Sequence, residues 1–359
     1  MTEWLDVATR KGLFRFRRKS GAWVSGPPDF AGIPVTAVLR DPRDGAIYAA
    51  LRHGHFGTKL HRSDDDGIHW IELPSPAFPA APEAETAPAV EMIWTLEPGG
   101  PNQPGLLWAG TLPGGLFRLT ERGAVSALVG SLWDMPQRKS WAGGGYDHPG
   151  IHSILVDPRN ADRLTIGVSV GGVWKSDDAG HSWSVSGTGL RAEYLPESMA
   201  YDPAVQDPHR LAQCAAAPDN VWCQHHNGIF KSDDNGASFS EIKDVHPATF
   251  GFAVAAHPED PDTAWFVPAR KDEYRYPVDG RFVVTRTRDG GKSFEILHEG
   301  LPSGDAFDLV YRHGLAVSRD GRQLAMGSTT GNLWVAQDAG EQWRMVSAHL
   351  PPINQVAFG

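Results

Sequence analysis

The chain has 359 residues, 41% of them hydrophobic, and a formal net charge of −10 at pH 7. That length and apolar content suffice for a folded core, and one closed repeat domain spanning residues 1–359 fits them. The acidic balance argues against nucleic acid as a partner, because a phosphate backbone is held by clustered cations.

The N-terminal segment MTEWLDVATRKGLFRFRRK contains no continuous apolar stretch of signal-peptide type. No apolar run approaches the roughly 20 residues that cross a bilayer, so no membrane partner is expected. Two cysteines, Cys214 and Cys223, could bridge, but so low a count fits a reducing compartment better. The chain is expected to be soluble and cytoplasmic.

In chain order, VATRKGLFRFRRKSGAWVSG reads as a second, third and fourth strand with no first strand ahead of it. Its basic residues Arg15, Arg17, Arg18 and Lys19 alternate in part with Phe14 and Phe16, as a strand edge would. Parallel units then start near Val35, Val90, Ile151, Glu197, Phe250 and His313. The unit from Ile151 has the clearest grammar: IHSILVDP as inner strand, a turn, LTIGVSV, then GGVWKS, a DDAGHS turn and WSVSG as outer strand. The C-terminal INQVAFG resembles a first strand with nothing behind it. Joined to the N-terminal strands it makes one more unit, and closure of this kind removes the unpaired edges of an open array. The fold predicted is all-β, a seven-bladed β-propeller with four-stranded antiparallel blades closed by pairing of the N- and C-terminal segments. Six blades with ornamented ends is the competing architecture.

One phrase, S-x-D-x-G-x-x-W/F, punctuates the units. It occurs as Ser63-Asp65-Gly67-Trp70, Ser176-Asp178-Gly180-Trp183 and Ser232-Asp234-Gly236-Phe239, with looser copies Thr287-Asp289-Gly291-Phe294 and Ala336-Asp338-Gly340-Trp343. Recurrence at intervals of roughly 50 residues marks a repeat architecture. The physical reading is a hairpin turn in which Ser and Asp bond nearby N–H groups and Gly takes a positive φ. The unit from Val90 carries LFRLTERG in place of the phrase.

The phrase resembles the Asp-box, or BNR repeat, of sialidases, sortilin-type receptors, xyloglucanases and photosystem-assembly propellers, and the resemblance covers nearly the whole chain. It implies that the turns lie on the face away from the ligand site and that Trp70, Trp183 and Trp343 are structural. Function is then expected on the opposite face, where loops are held by a rigid scaffold. Three long segments are assigned to that face, 76–90, 130–150 and 269–280.

Histidines cluster in the same region. Alignment of inner strands on their D-P turns puts His152, Glu197 and His313 at one relative position in three blades, a layer at the channel mouth suited to a divalent metal. With Arg191 and Glu193 on a nearby connection, the catalytic candidates are His152, Arg191, Glu193 and Glu197: groups for acid–base work and a guanidinium for an anion. Ligand-binding candidates are His53, His55, His148, His225 and His226, with Trp141 and Tyr146 as rings that could stack on a sugar. The bland alternative is that strand-end histidines are packing groups and that long loops pin themselves with their own aromatics. No definite cofactor is implied beyond the candidate metal.

Sialidase chemistry proper fits poorly. That resemblance implies three arginines, a Tyr/Glu pair and an early F/Y-R-I-P motif, whereas Tyr274-Arg275-Tyr276-Pro277 departs at its third position and sits late. Sialidase propellers also resemble six blades, and xyloglucanase-like enzymes place their cleft between two propellers. A glycosidase needs two carboxylates flanking a bond, for which Glu193 and Glu197, or either with Glu91 or Asp147, are available. Two readings stand: a binding module presenting the loop-rich face to a protein or small-molecule ligand, and a hydrolase or lyase, glycosidase-like or metal-assisted, with its site at the channel mouth. The enzyme predicts a concave pocket with converging side chains and strongly shifted pKa values; the module predicts a flatter, partly apolar surface.

Overall fold

Our computed structural model describes residues 4–80 and 88–359; within the long segment 76–90, residues 81–87 lie outside the described residues. The described residues form seven four-stranded antiparallel sheets. Blade 1 is assembled from both ends of the chain: Ile353–Phe358 pairs with Trp4–Thr9, followed by Gly12–Lys19 and Ala22–Ser25. Blades 2 to 7 follow in order, with first strands Val35–Arg40, Met92–Pro98, Ile151–Val156, Pro208–Gln213, Gly251–Ala256 and Leu315–Val317. Each first strand packs against the first strands of both neighbouring blades, and Ile353–Phe358 joins Leu315–Val317 to Val35–Arg40 to complete the ring. The protein is therefore a seven-bladed β-propeller closed by its termini.

The core lies between blades. Tyr48 and Leu60 of blade 2 meet Leu107 and Phe117 of blade 3 in one apolar cluster, and Trp265 of blade 6 meets Leu324 and Trp334 of blade 7 in another. Strands covered on both faces read as near-continuous apolar runs, as Leu164–Val168 does, rather than as strict alternation. Trp108, Trp174, Trp222, Trp265 and Trp334, one in each of blades 3 to 7, are fully buried in these layers.

The repeated phrase forms the third-to-fourth-strand turns. Ser63, Ser176 and Ser232 Oγ accept from the N–H groups of Gly67, Gly180 and Gly236 at 2.7, 2.8 and 2.8 Å, and Thr287 Oγ1 accepts from Gly291 at 2.9 Å. The box carboxylates of Asp65, Asp178, Asp234 and Asp289 accept from the N–H four residues on, at 2.8 to 2.9 Å. Ala336 has no hydroxyl, and its turn keeps the carboxylate bond from Gln342 N–H to Asp338, 3.0 Å. In all five turns the residue before the box glycine is left-handed as well, with φ of +54° at Asp66 and +73° at Gly290. Blade 3 replaces the turn with a short 3-10 segment, Glu121–Gly123.

A second recurring device sits at the opposite end of the first strands. Pairing with the second strand slips by one residue at Thr36, Trp94, His152, His209 and Asn354, and between Gly251 and Val254. Such bulges re-aim a side chain. One expected boundary is corrected here: the first strand of blade 5 begins at Pro208, not near Glu197. Asp202-Pro203 is not the turn after that strand but the start of a 3-10 turn before it, with Asp202 capping Ala204 N–H at 3.0 Å. Asp-Pro serves equally as a helical cap, because Asp accepts an orphan N–H and Pro fixes φ for the first helical position.

Candidate functional site at the channel mouth

The bulged ends of the first strands surround a concavity of about 810 Å³ on the loop-rich face. Thr36, Trp94, His209, Phe252 and Asn354 line it from bulge positions, and His313, just ahead of Leu315–Val317, joins them. Gly143, Gly144, Gly145 and Tyr146 of the 130–150 connection form part of its wall. Four arginines face it: Arg10, Arg52, Arg275 and Arg312.

Asp207, His209 and His226 meet at one side. Asp207 Oδ2 lies 3.5 Å from His209 Nε2 and 3.3 Å from His226 Nδ1. Asp207 and His209 are almost fully buried and His226 partly so. The position of Asp207 is fixed by blade topology: it precedes Pro208, and its backbone N–H lies 3.1 Å from the ring of His225, whose other nitrogen is 3.1 Å from Asn227 N–H. Burial holds His225 neutral, its pKa pushed down to about 3. Burial works against an ionised Asp207, but His209, His226 and Arg312 outweigh it and hold the carboxyl well below the usual carboxylate range. Burial also pushes the His209 imidazole down, against the opposing pull of the Asp207 charge.

Arg312 is the central cation of the cleft. Its guanidinium carbon lies 4.8 Å from the centroid of Trp94 and 5.8 Å from that of Phe252, a cation held between two rings. Its Nε is buried with no hydrogen-bond partner among the described residues. Burial lowers its pKa, with the Asp207 charge working the other way. Arg275 is oriented by Asp272, with Nε to Oδ1 at 3.0 Å, and Arg52 sits 3.7 Å from Glu91.

Of the residues singled out from the sequence, the structure brings His226, Tyr146 and His313 to the cleft. The layer of His152, Glu197 and His313 does not form. Glu197 is exposed on the 3-10 turn Glu197–Met199, and His152 is fully buried, its ring 5.6 Å edge-on to Trp94 and its Nε2 without a partner among the described residues. His313 Nε2 is spent on the His152 carbonyl at 2.8 Å. Arg191 and Glu193 pair with each other outside the cleft. His53 and His55 pack on Phe56 in the turn Gly54–Phe56, and His148 faces Glu91 at 3.6 Å. Trp141 is buried edge-on to Trp174, pinning its own loop, and Cys214 and Cys223 are free and buried. Sequence reasoning missed Asp207, His209, Trp94, Phe252 and Arg312. The Asp207-Pro208-His209 tripeptide was the available signal: it is the second Asp-Pro within six residues, and only one of the two can flank the strand.

No family model matches the chain. It is 22% identical over 387 aligned positions to a probable oligoxyloglucan-reducing end-specific xyloglucanase of Neosartorya fischeri, covering 96% of this chain and 44% of that protein. Among solved structures it is similar to the GH74 xyloglucanase of Xanthomonas campestris, with a TM-score of 0.67, 19% identity, and coverage of 100% of this chain and 52% of that one. It also resembles YCF48 of Cyanidioschyzon merolae, with a TM-score of 0.54, 11% identity, and coverage of 89% and 87%. The chain thus spans about half the length of the xyloglucanases it matches, and these likenesses establish the propeller fold.

Proposed function

We propose that the protein is a hydrolase or lyase that acts, in the channel-mouth cleft, on a carbohydrate bearing an anionic group. The observation that carries this reading is convergence: one concavity gathers Arg312 between two aromatic faces, further arginines, and the Asp207–His209–His226 group. A concave site with convergent polar side chains and shifted pKa values is what an enzyme requires and a flat docking face lacks. Arg312 and Arg275 hold the anionic group, since a planar guanidinium matches a carboxylate or sulfate in two hydrogen bonds. Tyr146 and Tyr194 offer exposed rings to a sugar, and the Asp207 group supplies the reactive chemistry. Likeness to xyloglucanases supports a glycan, whereas the arginines favour an acidic one. Fold alone does not fix chemistry, so the site carries the assignment. We further read the five turns as Asp-boxes, on the strength of their shared bonds, and a cytoplasmic setting from the two free cysteines.

The test is release of reducing ends, or of unsaturated products, from a panel of uronate- or sulfate-bearing oligosaccharides and their neutral counterparts. Acidic members are expected to turn over, and Asp207→Asn to abolish it. Binding of acidic members without turnover would make the protein a binding module instead. Turnover confined to neutral members, or no interaction with any, would reject the reading.

A further inference from the structure

Among the described residues one group of side chains can close on a single cation: Asp207, His209 and His226, whose ligand atoms all lie within 4.8 Å of one another. We propose that this group binds a divalent transition metal, with zinc the best match, at the wall of the cleft. The site stands on coordination geometry and holds whether or not the carbohydrate reading does.

The hydrogen bonding around His209 is the first support. Its Nδ1 lies 2.7 Å from the Gly251 carbonyl, which can only accept, so Nδ1 carries the hydrogen. That leaves Nε2 as the ring atom turned toward Asp207 Oδ2, 3.5 Å away, in position to ligate an ion held by the same oxygen. A backbone carbonyl behind the ring is also the arrangement that orients metal-binding histidines and raises their basicity.

The spacing is the second. Metal–ligand distances of 2.0–2.2 Å and a tetrahedral angle place neighbouring ligand atoms about 3.4 Å apart. Asp207 Oδ2 stands 3.5 Å from His209 Nε2 and 3.3 Å from His226 Nδ1, so both distances already fit one ion. Asp207 divides its oxygens accordingly. Oδ1 accepts from Val170 N–H at 3.4 Å, which leaves Oδ2 for the ion.

Rigidity is the third. The His209 ring is stacked on Phe252 with centroids 4.4 Å apart and planes within 13°, and the His226 ring sits edge-on to Tyr194 at 4.9 Å. Three protein ligands beside an open cleft leave a position for water or substrate, as catalytic rather than structural zinc sites do. Two imidazoles and one carboxylate suit zinc and iron(II) far better than calcium or magnesium, which take oxygen ligands.

The experiment uses the full chain, expressed without a histidine tag, stripped by chelator and titrated with zinc. Cobalt(II) serves as a spectroscopic probe of coordination number. One equivalent is expected to bind per chain, with the intense visible bands of four- or five-coordinate cobalt. Outer-shell changes cost roughly 10- to 100-fold in affinity, so loss of a ligand in His209→Ala or Asp207→Asn is expected to exceed that. His226→Ala, at the more exposed ligand, gives a third variant should a buried change disturb folding, and His148→Ala should bind as the native chain does. Absence of stoichiometric binding, or binding equal in native chain and ligand variants, would overturn the site. Binding without turnover of any glycan would leave it standing and remove only the hydrolase reading.

Discussion

The two ends of this propeller use repetition in opposite ways. On the turn face, four hairpins repeat the same side chains and the same bonds, with Ser or Thr to Gly distances of 2.7 to 2.9 Å. At the channel mouth the backbone repeats a bulge, while the side chains that it brings to the cleft all differ: Thr36, Trp94, His209, Phe252 and Asn354. In the first region the side chain is the structural device, so it is kept in most blades, with Ala336 and the blade 3 segment as the departures. In the second the backbone is, and the side chain is left free for chemistry. Fold is therefore written where the repeat is kept, and function where it is broken.

The largest break in that contrast is expected at Arg312. Arg312→Met keeps the packing against Trp94 and Phe252 but removes the charge, and kcat/KM on an acidic glycan should fall on the order of 100-fold or more. Thermal stability should hold or rise, because a buried guanidinium with an unpartnered Nε is lost. A stability loss matching the activity loss would make Arg312 a packing residue. On the turn face the pattern should invert. Ser176→Ala orphans the Gly180 N–H that its hydroxyl receives at 2.8 Å, and should cost about 1–3 kcal/mol in denaturant unfolding with turnover per folded molecule unchanged.

Deeper in the channel, Glu97 and Arg210 provide a pH test. Burial outweighs the Arg210 and Arg43 charges and raises the Glu97 carboxyl from 4.5 to about 7. The folded state then holds that proton more tightly than the unfolded chain. Stability is full below about pH 4.5 and declines as pH climbs through about 7. The side chain still meets channel solvent, so the loss should be about 1–3 kcal/mol rather than the whole shift. Glu97→Gln should flatten that slope, and an unchanged slope would remove Glu97 as its source. The smallest effect sharpens the turn comparison. Ala336→Ser restores the hydroxyl that the blade 7 turn lacks and should stabilise by about 0.5–1 kcal/mol in the same assay.

The propeller was legible because its signals are local and recur: a turn phrase in five copies, and an orphan first strand, INQVAFG, to match N-terminal strands that lack one. Six of the seven first strands were placed within two residues, Val90 against Met92 and His313 against Leu315 being the widest errors among them. The site was legible only in part. Tyr146 was visible as a ring on the long 130–150 connection, His226 as an imidazole in the turn between two strands, and His313 through alignment of the first strands. Asp207 and His209 were not, since Asp202-Pro203 imitates the post-strand turn and drew the alignment to Glu197. Arg312 escaped for a different reason. Its environment is made by Trp94 and Phe252 from blades 3 and 6, distant in sequence, and bulges carry no local signature that would bring them together.

One paired measurement tests the division of labour directly: turnover per folded molecule and melting temperature for Asp207→Asn beside Asp65→Asn, one carboxylate from each end of the ring. Asp65 holds His69 N–H at 2.9 Å in its turn, whereas Asp207 faces two histidines in the cleft. The account predicts that Asp207→Asn abolishes turnover with little change in melting temperature, and that Asp65→Asn lowers the melting temperature with turnover per folded molecule intact. Parallel losses of both quantities in both variants would contradict it.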